Sequence, residues 1–543
     1  MEFLEKETGI KYPWEKYSQV MVQDFMYGAM ENTTATVFGD FFSVDSNGYF
    51  DRNYVSVNAH ELTHQWFGDL ITARSGADTW LQESFATYYP KQFFRATEGE
   101  DKYSWHSRQD MITALKAAET DNNPVRFSGA GTARVYQKGS VVIDMLRYVL
   151  GDDEFKRVIQ YYLTKHSYAN VETNDLYQAV QEVLERSVDW FFEQWLYHGG
   201  EPNYKVSYLN EKNLVEVKVE QMQELTPLIG LFKMPVNVAI YYKNGTSITK
   251  QIWVEKQSED FYFDNIKNDE IDFVLFDPNN KILKKITFDK STTELLSQAL
   301  KAPSMIDRYD AFVALRNAPL SQKREALVGA FQNETFFGLR NEVIKQLMEN
   351  EEMVDLVKSK IAKEHPETIK FFINSYNEIP QGFLYYYEGW LKHPSYDIVT
   401  AALQKVYDSN PEKIAAYLST TKFILGQNNN VRMKWLELSI QARISVNENQ
   451  NLLINYTSQS YEFKTRVAAF EALKRLNICD ITIVNNGFEA LSSFNTRLSG
   501  PVKTVLEYFS QQNLYKKMMV ECYRKCNDNK LKLVLKKSFP FLN

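Results

Sequence analysis

Cysteine is scarce in this chain: its 543 residues include three, Cys479, Cys522 and Cys526. Three thiols exclude a disulfide framework, and they leave the redox compartment open. Cys522 and Cys526 stand at helical spacing in ECYRKC, but no histidine or third cysteine is near enough in sequence to complete a metal site. Long apolar runs are also missing. None approaches the roughly 18–20 residues needed to cross a bilayer, which excludes a transmembrane helix. The opening MEFLEKETGIKYPWEKY has no basic region followed by an apolar stretch, so it does not read as a signal peptide. A surplus of positive charge is absent too. The net charge of -7 is mild and opposite in sign to that of a nucleic-acid binder.

What is present is ordinary globular composition with an aromatic excess. The chain is 44% hydrophobic and 14% aromatic, with 33 Tyr and 35 Phe, which predicts well-filled cores rather than disorder. Its length exceeds what one hydrophobic core supports, so two to about four domains are expected.

Histidine is rare, at seven residues, yet two of the seven supply the sharpest pattern: NAHELTHQWFG, from Asn58 to Gly68, contains His-Glu-x-x-His. On a helix turning about 100° per residue, His60 and His64 lie about 40° apart, so both imidazoles project together. Val55, Ala59, Leu62 and Trp66 recur at helical spacing and predict a separate apolar stripe. Two imidazoles do not make a catalytic zinc site, which takes three protein ligands and keeps a fourth position for water. In DTWLQESFATYY, Glu83 follows His64 after residues 65–82, and Asp78 is the expected N-cap of its helix.

These segments together resemble the aminopeptidase N-type metallopeptidases, which are gluzincins. HELTHQWFG followed by WLQESFATYY is similar to that family's zinc-binding segment. YGAMENTT contains Gly28-Ala29-Met30-Glu31-Asn32, the family's exopeptidase signature. ARVYQKGS resembles its Tyr-x-Lys-Gly segment, and FFEQWLYHGGEP its stretch at the end of the catalytic domain. The resemblance implies one zinc per chain, held by His60, His64 and Glu83, with Glu61 as general base and Tyr136 stabilising the oxyanion. It also implies that Gly28, Ala29, Met30, Glu31 and Asn32 bind peptide, with Glu31 pairing with a free α-ammonium. The substrates expected are therefore peptides with a free N-terminus.

Two departures stand out. Gln82 and Ser84 flank Glu83 where relatives commonly read Asn and Gly, and Pro90 replaces an acidic residue. If that acid orients a zinc-bound imidazole in relatives, another group does so here, and Asp69 is the sequence candidate.

The rest of the chain predicts two further domains, making a multidomain α+β protein. Residues 1–200 are expected to be a thermolysin-like zinc catalytic domain. After Pro202 come short runs of β character, with Asn244-Gly245 between two of them as a hairpin signal, and 201–291 read as a small β-sandwich. Residues 292–543 show helical periodicity. RYDAFVALR from Arg308 and RVAAFEALK from Arg466 echo one another, predicting an all-α, HEAT- or armadillo-like region.

Two other readings compete. The Gly-Ala-Met-Glu-Asn segment and the β-rich region speak against the family's epoxide-hydrolysing branch. Intact His60, Glu61, His64, Glu83 and Tyr136 speak against a catalytically dead scaffold. Relatives carry a β-rich domain ahead of the region matching residues 1–30, so the native N-terminus is expected to lie outside this sequence. A soluble protein of the cytoplasm or a bacterial periplasm is expected, with a monomer as the default state.

Overall fold

The computed structural model describes residues 1–211 and 213–542. The chain forms two compact units. Met1–Ser18, Glu31–Thr36 and Val55–Val354 make the first; Gln19–Met30, Val37–Tyr54 and the chain from Asp355 onward make the second.

The first unit begins with a helical layer. GSVVIDMLRYVL forms the helix Gly139–Leu150, and Val141, Val142, Ile143, Met145, Leu146 and Leu150 are all buried. A helix apolar on nearly every side belongs inside a core, and this one is central. The helix Trp80–Glu98 packs beside it, with the Tyr88 hydroxyl accepting from Arg147 Nη1 at 2.9 Å, and stops where Gly99 takes φ 95. Pro90 sits inside that helix and forgoes one backbone hydrogen bond. Asp78 does not cap it as expected. Its buried carboxylate instead accepts bonds from Ser75, Arg126 and both the amide and hydroxyl of Thr173, joining distant parts of the chain.

Two sheets follow in the same unit. One has the spatial order Ser258–Asn265, Asn213–Gln221, Asn203–Glu211, Lys285–Phe288; the other runs Ile271–Phe276, Met234–Tyr242, Ser247–Val254. Val215, Val217 and Val219 alternate inward along one strand, as period-two patterning requires. Asn244 and Gly245 form the turn between two paired strands, with Tyr241 opposite Ser247 and Gly245 at φ 85. Trp195, Val217 and Val238 share one continuous core with Phe85. Four helices from Thr292–Lys301 to Phe337–Met348 complete the unit, the first opened by a capping box between Ser291 and Glu294.

The second unit is largely helical, from Pro366–Ser375 to Asn529–Ser538. The two echoed nine-residue segments bury equivalent positions: Ala311, Phe312 and Leu315 in the first unit, Ala469, Phe470 and Leu473 in the second. Asp51 receives the amide of Tyr396 at 2.9 Å and the hydroxyl of Ser395, capping the helix Tyr396–Ser409. Among the described residues, no helix is long and apolar enough to cross a membrane.

Candidate active site

The helix Val55–His64 presents two histidines one turn apart, and His64 Nε2 stands 3.1 Å from His60 Nε2. The first turn of Trp80–Glu98 brings in Glu83, whose Oε2 lies 3.4 Å from His60 Nε2 and 3.3 Å from His64 Nε2. The apolar stripe predicted on the histidine helix is only partly buried. Glu61, Thr63 and His64 are buried instead, and Trp66 is buried just beyond the helix end. The polar face turns inward because it lines this cluster.

His64 Nδ1 lies 2.9 Å from the Phe67 carbonyl. A carbonyl only accepts, so that nitrogen carries the proton and Nε2 presents its lone pair to the cluster. Phe67 thus fills the orienting role expected of Asp69. Asp69 bonds to Thr33, and burial, with Glu31 nearby, pushes its carboxyl up to about 7.

Glu83 Oε2 is buried without a hydrogen-bond partner. An orphaned carboxylate oxygen facing imidazole nitrogens is costly unless a cation joins them. The three ligand atoms lie within 4.8 Å of one another. Two imidazoles and one carboxylate are a donor set that suits zinc. The residues present fit the ion.

Glu61 follows His60 directly and is buried. Burial, with the charges of Glu31 and Glu83, pushes its carboxyl up to about 8. Glu31 Oε1 lies 4.0 Å from His64 Nδ1, and Glu31, Glu61 and His64 form a second close group. Asn32 shares this unit, and its carbonyl accepts the Ala35 amide at 2.8 Å. Gly28, Ala29 and Met30 fall in the second unit, where Ala29 and Met30 pair with Phe38 and Val37.

Tyr136 lies in a π-helical turn, Arg134–Lys138, with its ring stacked on His60 at 5.9 Å and 7° between planes. Burial and the carboxylates of Glu83, Glu31 and Glu61 hold its phenol firmly protonated. The turn is pinned at both ends. Arg134 Nη1 lies 2.5 Å and Lys138 Nζ 3.1 Å from Glu201 Oε1, and Lys138 also donates to the Gly200 carbonyl at 2.9 Å. Ser84 Oγ donates to the Val135 carbonyl at 2.6 Å, and a Cβ on Gly139 would overlap that hydroxyl. Ser84, one of the two departures beside Glu83, therefore ties the helix that carries Glu83 to the tyrosine turn.

Sequence reasoning passed over Gln65, Phe67 and Glu201. A carbonyl acceptor leaves no mark in a sequence, and glutamine and glutamate are too common to stand out. Lys138 and Gly139 lay inside the quoted Tyr-x-Lys-Gly segment, which was the available signal for the pinned turn.

Residues 1–195 match the model of the Peptidase family M1 domain. Through these 195 of its 543 residues the chain is similar to that family. It is 28% identical over 323 residues to Tricorn protease-interacting factor F2 of Thermoplasma volcanium, covering 57% of this chain and 39% of that protein. It is 30% identical over 278 residues to leucyl aminopeptidase of Saccharolobus solfataricus, covering 48% of this chain and 34% of that protein. The matches thus span only about a third to two fifths of these relatives. The crystal structure of Legionella pneumophila aminopeptidase A in complex with aspartic acid shares the fold, with TM-score 0.62 and 15% identity, over 100% of this chain and 72% of that one.

Proposed function

We propose that this protein is a zinc aminopeptidase that hydrolyses the N-terminal peptide bond of peptides bearing a free α-ammonium. The observation that carries the reading is the convergence of His60 Nε2, His64 Nε2 and the orphaned Glu83 Oε2, with Glu31 at the edge of the same cluster. His60, His64 and Glu83 would hold a single zinc ion. Bound there, zinc supplies Lewis acidity toward the scissile carbonyl and lowers the pKa of a water to roughly 7.

The chain's own residues do the rest. Glu61, buried beside the ligands and not needed as one of them, accepts the water's proton at its carboxylate and delivers it to the leaving amine. Its raised affinity for a proton suits that exchange near neutral pH. Tyr136 donates its phenolic hydrogen bond to the oxygen that gains charge, a contact stronger in the transition state than in the ground state. Glu31 binds the substrate ammonium by charge-assisted hydrogen bonding, and Gly28, Ala29, Met30 and Asn32 line the peptide. A blocked N-terminus leaves Glu31 without its cation, which disfavours internal cleavage.

The same reading takes residues 1–200 as a thermolysin-like catalytic domain, 201–291 as a β-sandwich and 292–543 as a HEAT- or armadillo-like helical domain. The resemblance of the motifs supports the first of these, and strand and helix periodicity the other two. The deciding experiment is a panel of aminoacyl fluorogenic amides, free and N-acetylated, assayed with and without chelator. Chelator-sensitive cleavage of the free series alone is expected. Equal cleavage of both series would end the aminopeptidase reading.

A further inference from the structure

Gln65 follows His64 in the chain and is completely buried. A buried amide must fill its hydrogen bonds, and two of the three that the Gln65 side chain makes go to the segment that carries Glu31. Its Oε1 accepts the Thr34 amide at 2.9 Å and the Tyr12 hydroxyl at 3.2 Å, and its Nε2 donates to the Glu31 carbonyl at 3.0 Å. The orientation of the amide is unambiguous, since a backbone N–H only donates and a carbonyl only accepts. The Gln65 carbonyl accepts the Trp14 indole at 3.3 Å.

The segment thus held is under strain. Thr34 takes φ 65, a left-handed conformation unusual for a β-branched residue, and the Asn32 carbonyl accepts the Ala35 amide across the turn. Such a conformation persists only when its surroundings over-determine it. Gln65 grips the turn from both sides, at Glu31 and at Thr34.

We propose that Gln65 is a positioning residue that sets the Glu31 carboxylate against the metal-site helix and so sets the selectivity for a free α-ammonium. The inference rests on the aminopeptidase reading above. Because Gln65 is joined by one peptide bond to His64, it couples the backbone of Glu31 to the backbone of a metal ligand. Its side chain is fully buried against Thr34, Tyr12 and the Glu31 backbone, so it acts through Glu31.

The test measures inhibition of the full chain by an α-amino hydroxamate and by its desamino counterpart, together with zinc content. Wild type should bind the amino compound at least about tenfold more tightly, the value of one charge-assisted hydrogen bond. Gln65→Leu should keep its zinc and lose most of that preference, with affinity for the desamino compound changed less than about threefold. In a Glu31→Gln background the same substitution should add less than about threefold, because residues acting as one unit are not additive. Gln65→Glu, which keeps both acceptor bonds but cannot donate to Glu31, should behave like Gln65→Leu and serves if the leucine variant fails to fold. Equal weakening of both inhibitors, or full additivity with Glu31→Gln, would overturn the positioning role while leaving the aminopeptidase reading intact. Absence of any amino preference in wild type would instead sink the aminopeptidase reading, and this inference with it.

Discussion

Arg134 and Glu201 form a 2.5 Å ion pair with both side chains buried, and Lys138 shares the same carboxylate. The two cations flank Tyr136 in the turn, so the proposed oxyanion donor is placed by buried charges. Removing one partner of such a group strands the others, at a cost of roughly 3–5 kcal/mol. Glu201→Ala should therefore lower the denaturation midpoint sharply and reduce kcat at temperatures where the variant remains folded. An unchanged melting curve would show that the two cations find other partners.

Tyr136→Phe removes one hydroxyl from a site otherwise left in place. The expected result is a fall in kcat of about 10²–10³, the usual loss for one oxyanion donor, with little change in KM or zinc content. A change confined to KM would rule out the oxyanion role.

Glu61→Gln keeps the shape of the side chain and removes its capacity to take a proton. Zinc should be retained at full stoichiometry while turnover falls by at least about 10², since general-base assistance contributes on that order. Full activity in this variant would reassign the base.

Metal analysis of protein purified without chelator should find one zinc per chain. His60→Ala should lose it, because two remaining donors do not make a site. Retention of zinc at full affinity by His60→Ala would mean that the ion sits elsewhere.

Asp307 provides a pH test away from the metal cluster. Burial, together with Asp310 and Asp277, pushes its carboxyl up to about 7 although it accepts the Asn279 amide. The unfolded value is about 3.9. Below about pH 3 both states are protonated and folding carries no penalty. As pH rises from about 4 toward 7, the unfolded chain ionises first, and stability is lost by roughly 2–4 kcal/mol in all. Asp307→Asn removes this term, so its stability relative to wild type should grow between about pH 4.5 and 7.5 in urea titrations. A constant difference across that range would refute the shift.

Much of this protein is written in short stretches of its sequence. His60 and His64 project together because a helix repeats every 3.6 residues or so, and that follows from backbone geometry alone. Asn244-Gly245 turns a hairpin because glycine accepts the positive φ that the turn demands. Val215, Val217 and Val219 face inward because a strand alternates. Each signal acts over a few residues, so no knowledge of the rest of the chain is needed to read it.

Other features were settled only when the chain closed on itself. Asp78 has the composition of a helix cap, yet it became the acceptor for Thr173 and Arg126. Asp69 was the candidate to orient an imidazole of the cluster, but it is the Phe67 carbonyl that accepts the hydrogen bond of His64 Nδ1. Gln65 found Glu31 and Thr34, and Glu201 found Arg134 and Lys138. A buried polar group must be satisfied by whatever the packed core brings within about 3 Å of it. Which partner that is depends on how every helix and sheet around it has packed. Local sequence determined the pieces of the His60, His64 and Glu83 cluster; tertiary packing decided what holds each piece in place.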